Sequence, residues 1–275
     1  MLGPLAVEDM AGQSIDIKNG KLRHLLALFL LNTNVIISKH WLIEHLWHSH
    51  APKSALSNLK TYITRLRRLG IPILTQAGGY KIRMDSDELD AHIFENLASG
   101  GQTALDRGDL YEAAASLEMA TRLWRGDPLL GMDLDKELSL WAERLREGYR
   151  VATEDFFEAR LALGRHREII APLRTWVGRH HLRERAHAQL MTALYRDGRQ
   201  DEALRVYQEL RANLVTEIGV EPTPALRELQ RQILVEDGKL QSDSTVYMIV
   251  ERARALVHRV HSPHLGASLA QQQGK

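Results

Sequence analysis

The sequence predicts a mainly α-helical protein: a small α+β module over residues 1–86, an all-α, repeat-like module over residues 87–238, and a C-terminal extension over residues 239–275. Three observations predict it. Strand alternation and hairpin turns occur only before Asp87, whereas helical periodicity dominates after it. Charge divides at the same place: residues 1–87 hold 11 Lys/Arg against 6 Asp/Glu, a formal +5, and the remainder holds 25 against 29, a formal −4. Finally, Gly164–Glu168 and Gly198–Glu202 (LGRHREI and DGRQDEA) recur at an interval of 34 residues, the length of a two-helix repeat.

Each element follows in order. Leu5–Val7 and Ser14–Ile17 read as short strands around Asp9–Gln13, with Asn19-Gly20 closing them. Lys21–Leu31 (KLRHLLALFLL) reads as a buried helix. Ser38 is placed to cap a second helix through Trp47, because its hydroxyl can satisfy an orphan backbone N–H. Pro52 interrupts the chain, a third helix starts near Ser54, and Gly70 ends it. Ile71–Thr75 and Tyr80–Met84 read as strands joined by Gln76–Gly79. Helices are then predicted near 89–106, 109–125, 136–163, 166–178, 182–197, 200–215 and 223–237. Gly108, Gly164 and Gly198 fall between them and supply the left-handed backbone that lets one helix turn into the next. Together these read as a tetratricopeptide-like module, irregular because Gly108 and Gly164 are 56 residues apart. The extension begins polar, holds one more predicted helix at Val246–Val260, and ends in a Gln-rich, frayed tail.

Composition narrows the function. With 44% apolar residues the chain can build a core, and with no Cys it has no disulfide framework, thiolate metal site or Cys nucleophile. The longest apolar run, Leu25–Leu31, is too short to span a bilayer, and the N-terminus lacks a basic signal-peptide region, so a cytoplasmic location is expected, without membrane association. Neither a phosphate-binding GxxxxGK[ST] loop, a GxSxG elbow, an HExxH motif nor a strand-bound GxGxxG is found, and no enzymatic role is expected. His40, His45, His48 and His50 cluster, but no carboxylate or Cys completes a metal set, and they read as rim residues, as do His180, His181 and His187. No cofactor and no metal are expected. Arg144-Glu147 and Arg183-Glu184 read as surface ion pairs.

The chemistry concentrates between Glu44 and Asp85, where no acidic residue occurs and Lys53, Lys60, Arg65, Arg67, Arg68, Lys81 and Arg83 do. On a helical wheel of Ser54–Leu69, Leu56, Leu59, Ile63 and Leu66 form an apolar face. Opposite lie Ser57, Thr61, Thr64 and Arg68; Lys60 and Arg67 flank them on one side, Asn58 and Arg65 on the other. Short hydroxyls let a helix sink into the major groove, Arg can grip guanine bidentately, and Lys and the other Arg can neutralise phosphates. In the following hairpin, Lys81 and Arg83 alternate with Ile82 and so share the face away from the core. Lys81 is a stronger candidate than Arg83 for contact with the DNA backbone or minor groove. A basic helix followed by a basic hairpin is a winged helix-turn-helix gripping double-stranded DNA. A competing reading makes the helical module primary, as a protein-interaction scaffold or ligand sensor with a concave surface.

Longer motifs extend this reading. LGPLAV, KLRHLLALFLLNTN, SKHWLIEHLW and LKTYITRLRRLG followed by GGYKI resemble the OmpR-type winged helix of Streptomyces antibiotic regulatory proteins. LWRGDPL, ARLALGRHREII, LRERAHAQLMTALYRDGRQDEALRVYQELR and EIGVEPTPALRELQRQIL are similar to the bacterial transcriptional activation domain of the same family. The resemblance covers residues 1–238. It implies a transcriptional activator of a biosynthetic gene cluster, binding direct repeats near the promoter −35 region as a side-by-side homodimer and recruiting RNA polymerase holoenzyme. It implies a nucleoid-associated location and a polymerase sigma contact through the loop His48, Ser49, His50 and Lys53. The chain departs from the pattern at Lys60, where Gln is common, which exchanges an adenine-reading amide for a cation. Larger relatives carry a nucleotide-binding ATPase domain whose signature is missing here, so nucleotide gating within this chain is not expected.

Overall fold

The structure, a computed structural model, describes residues 1–9, 11–47 and 50–235. The predicted helix Val246–Val260 and loop residues His48 and Ser49 lie outside the described residues. Ten α-helices and three strands are described: α1 (Gly20–Leu31), β1 (Ile37–Ser38), α2 (Lys39–Trp47), α3 (Ala55–Arg68), β2 (Ile73–Gln76), β3 (Gly79–Ile82), α4 (Asp90–Arg107), α5 (Leu110–Arg122), α6 (Lys136–Ala162), α7 (His166–Arg179), α8 (Glu184–Arg196), α9 (Gln200–Ile218) and α10 (Pro224–Leu234). This is the mainly α architecture predicted, a winged helix-turn-helix ahead of tetratricopeptide-like helices.

The described residues group into two compact units, the first Met1–Arg107 with Ala115–Thr153, the second Gly108–Ala114 with the described residues from Glu154 onward. In the first unit, α1 is built around Leu22, Leu25, Leu26, Leu28 and Phe29, all buried. Asn19 caps α1, its side chain accepting from Leu22 N at 3.1 Å, so the predicted Asn19-Gly20 turn is instead the start of the helix. Ser38 caps α2 as expected, its hydroxyl accepting from Trp41 N at 3.1 Å. Lys21 Nζ donates to Leu46 O and so holds the C-terminal end of α2 to α1. The sheet is antiparallel in the order β1-β3-β2, with Ile37 opposite Tyr80 and Ile73 opposite Ile82. β1 was not anticipated, since two residues are too short for an alternation signal.

The strands predicted at Leu5–Val7 and Ser14–Ile17 reduce to a single bridge, Glu8 with Ser14. The first residues pair elsewhere. Arg125 N donates to Leu2 O at 2.8 Å, Leu130 N to Gly3 O at 3.3 Å, and Leu2 N to Asp90 Oδ2 at 3.0 Å. These bonds explain why compactness does not follow the sequence division at 86/87: α4 and residues 115–153 group with the N-terminal elements. Gly101 on α4 sits against Leu117 so closely that a Cβ would lie 2.6 Å from its Cγ.

In the second unit, α8 is the central helix, buried from Gln189 to Tyr195. Gly164 and Gly198 adopt the predicted left-handed backbone, with φ of 71° and 77°. Around α8 lies a buried ionic cluster that the sequence did not suggest. Arg185 meets Asp155 at 2.6 Å and stands 3.9 Å from Glu158, Arg183 Nε meets Glu154 at 2.5 Å, and Gln189 Nε2 donates to Glu158 at 3.0 Å. Burial opposes the Arg185 cation, but Asp155, Glu158 and Glu154 outweigh it and hold its pKa above the ordinary value. The predicted neighbour pairs are corrected accordingly: Arg183 pairs with buried Glu154 rather than Glu184, and in the first unit Arg144 pairs with Glu95 at 2.8 Å rather than Glu147.

Candidate nucleic-acid interface

The site is built on α3. Ala55, Leu59, Ile63 and Leu66 recur every three or four residues, are buried, and fix the helix rotation. Leu56, predicted to belong to this apolar face, is 45% exposed, and Ala55 takes its place at the first turn. Rotation fixed in this way leaves Ser57, Lys60, Thr61, Thr64, Arg65, Arg67 and Arg68 exposed. All seven helix candidates therefore reach solvent, and Ser57, Thr61, Thr64 and Arg68 share the strip opposite the core.

Partner geometry separates them. Thr61 Oγ1 donates to Ser57 O at 3.0 Å and Thr64 Oγ1 to Lys60 O at 2.9 Å, which directs both hydroxyl protons inward and leaves the oxygens as acceptors. Among the described residues, Lys53, Lys60, Arg65, Arg68, Lys81 and Arg83 form no ion pair, whereas Arg in the helical elements is extensively paired, as at Arg146, Arg150, Arg174 and Arg211. A run of unneutralised cations on one small module attracts polyanions. Arg67 differs from its neighbours: Nε donates to Ile73 O at 2.7 Å and Nη2 to Thr75 Oγ1 at 2.8 Å, so its fork is joined to β2.

The hairpin behind the helix is held by several contacts. Gly79 lies so close to β1 that a Cβ there would stand 2.0 Å from Ile37 O. Gly78, with φ of 87°, makes the reversal. Tyr80 and Ile82 are buried, which turns Lys81 to the other face of β3, where it is half-buried opposite Leu74. Asn34 clamps the far end, donating from Nδ2 to Met84 O at 2.6 Å. Of the loop candidates, His50 and Lys53 are exposed. Three of the histidines make local contacts: His45 stacks on Trp41 at 3.7 Å, His180 packs on Trp176 at 4.2 Å, and His181 bonds Glu217 at 2.9 Å. Burial lowers the pKa of His187, whose Nδ1 lies 2.8 Å from Arg183 O.

A winged helix-turn-helix with a bare cationic helix, carried on one chain with tetratricopeptide-like helices, defines a class: a bacterial transcriptional regulator with an activation domain. Residues 89–234 match the family model of the bacterial transcriptional activator domain. The regulatory protein DnrI of Streptomyces peucetius is 36% identical over 251 residues, covering 86% of this chain and 92% of DnrI. The regulatory protein AfsR of Streptomyces coelicolor is 36% identical over 244 residues, 87% of this chain but 24% of AfsR. A solved structure of Mycobacterium tuberculosis EmbR, in complex with a low affinity phosphopeptide, superposes with a TM-score of 0.84 at 28% identity, covering 94% of this chain and 69% of that one. The chain belongs to the Streptomyces antibiotic regulatory protein family of transcriptional activators.

Proposed function

We propose that this activator binds double-stranded DNA sequence-specifically, with α3 in the major groove and the β2–β3 hairpin on the backbone beside it. The observation that carries the reading is the exposed strip of α3, where Arg65, Arg68 and Lys60 stand without ion-pair partners opposite a buried apolar face. Ser57, Thr61 and Thr64 are short enough for close approach, Arg65, Arg68 and Lys60 suit base edges, and Lys81 suits phosphates. Residues 1–86 would hold the DNA-binding function and residues 87–238 the activation function, a division of roles rather than of compact units.

By family likeness, the target is a direct repeat near the −35 region of a biosynthetic gene cluster. Two protomers would lie side by side there and recruit RNA polymerase, with His48, Ser49, His50 and Lys53 toward its sigma region. Bound to promoter DNA, the protein would sit on the nucleoid; among the described residues, no helix is long and apolar enough to cross a membrane.

A mobility-shift titration with a direct-repeat promoter duplex tests the reading. Arg65→Ala and Arg68→Ala should each weaken binding at least tenfold, about 1.4 kcal/mol, with the circular dichroism of the helices unchanged. Wild-type binding by both variants would rule out α3 as the reading helix.

A further inference from the structure

By sequence, Arg67 is one more cation for the phosphates, on the flank of α3 beside Lys60. Its geometry points elsewhere. The guanidinium reaches six residues on to Ile73 O, at 2.7 Å from Nε, and eight residues on to Thr75 Oγ1, at 2.8 Å from Nη2. Both acceptors belong to β2, an edge strand of the sheet. An edge strand leaves alternate carbonyls without a ladder partner, and Arg67 supplies one at Ile73. Two donors of a rigid planar fork, placed on residues i and i+2 of a strand, fix that strand in direction as well as distance.

The consequence reaches Lys81. Leu74, between the two acceptors, is the cross-strand partner of Lys81, and Thr75 is the partner of Tyr80. Whatever holds Ile73 and Thr75 therefore sets where Lys81 stands relative to α3. We infer that Arg67 is a positioning residue: it locks the hairpin to the recognition helix and thereby fixes the offset between the groove-reading and backbone-gripping cations. The inference rests on the DNA-binding reading above and adds to it a division of labour among neighbouring arginines, in which Arg65 and Arg68 face the nucleic acid and Arg67 holds the frame.

The charge-preserving variant separates this role from a phosphate contact. Lysine serves a phosphate as a point charge but cannot reproduce the fork. In anisotropy titrations of the full chain with a direct-repeat duplex, Arg67→Lys should bind about tenfold more weakly than wild type, the scale of one lost charge-assisted hydrogen bond. Thr75→Val, which changes no charge, should weaken binding in the same direction. Lys81→Ala should weaken the wild type but have a smaller effect in the Arg67→Lys background, because residues in one network are non-additive. In DNA-free protein, amide hydrogen exchange across β2 and β3 should be faster in Arg67→Lys and Thr75→Val, with α3 protected as in wild type.

Wild-type affinity in Arg67→Lys, with hairpin exchange unchanged, would overturn the inference and return Arg67 to the phosphates. Failure of the wild-type chain to bind any promoter duplex would instead sink the DNA-binding reading and the offset argument with it. The exchange measurement would still report whether Arg67 holds the hairpin.

Discussion

Gly79 and Ile37 cross at a distance that admits no side chain: a Cβ on Gly79 would lie 2.0 Å from the Ile37 carbonyl oxygen. This crossing joins β1, which precedes α2, to β3, which carries Lys81. Gly79→Ala must therefore separate β1 from β3 and displace Tyr80 and Ile82 from the core. A loss of stability of about 2–4 kcal/mol is expected, the range for overpacking combined with a broken strand pair. Chemical denaturation of the variant checks it. Gly78→Ala meets no atom within 4 Å, but it places a side chain at φ 87° and should cost about 1–2 kcal/mol through backbone strain alone.

The N-terminal module depends on residues far along the chain. Leu2 and Gly3 carbonyls accept from Arg125 and Leu130 amides, and the Leu2 amide donates to Asp90. An isolated fragment of residues 1–87 would expose the fully buried Leu2 and leave these groups to water. That fragment should unfold at lower denaturant concentration than a fragment of residues 1–153, and the comparison by circular dichroism tests the dependence. Equal stability would show that residues 90–130 contribute nothing to the N-terminal fold.

Arg185 is enclosed by Asp155, Glu158 and Glu154, the nearest at 2.6 Å. Arg185→Met leaves buried carboxylates without their principal counter-charge. Breaking a buried pair from one side typically costs about 3–5 kcal/mol, and Asp155→Asn added to Arg185→Met should recover part of it. Thermal unfolding of the single and double variants checks the coupling. Equal or greater destabilisation in the double variant would contradict it.

Acid should loosen the second unit in two stages. Burial holds the His187 pKa below its ordinary 6.5, so the unfolded chain binds the proton more readily. The stability that neutral His187 provides is complete above pH 6.5 and is lost as the pH falls toward the folded-state value. Glu202 behaves as a depressed carboxylate: hydrogen bonds from Arg199, with Arg174 assisting, bring its pKa from 4.5 to about 2. Its contribution is present above pH 4.5 and is lost as the pH falls toward 2. Melting temperature measured against pH should therefore decline first just below neutrality and again below pH 4.5. His187→Asn, which retains a donor for the Arg183 carbonyl, should flatten the first decline only.

Much of this architecture was legible because it rests on local signals. Ser38 as a cap, Gly164 and Gly198 as left-handed turns, and the seven helices after Asp87 follow from spacing alone. What was not legible depended on partners distant in sequence. Leu5–Val7 and Ser14–Ile17 alternate as strands do, but the adjoining residues 1–3 bond to residues 125–130, and only one bridge forms. Arg183 has Glu184 beside it, yet pairs with Glu154, 29 residues earlier, because packing of α6 against α8 brings the buried carboxylate into reach. Leu56 and Ala55 border the same wheel face, and the wheel does not say which of them the core reaches at the first turn of a helix. Arg67 had the composition of a phosphate contact, and only the course of β2 revealed its acceptors.

Lys60 offers the most direct test of the central claim, that the exposed face of α3 reads base sequence. Its side chain is exposed beside Ser57 and Thr61, and Gln in its place exchanges a cation for an adenine-reading amide. Selection of binding sites from a random duplex library should be carried out with the full wild-type chain and with Lys60→Gln. Paired direct repeats should emerge from both, with a changed base preference at one position in each repeat. Base reading by α3 would be contradicted if neither protein enriched a repeated sequence, or if both enriched the same sequence with the same preference at every position.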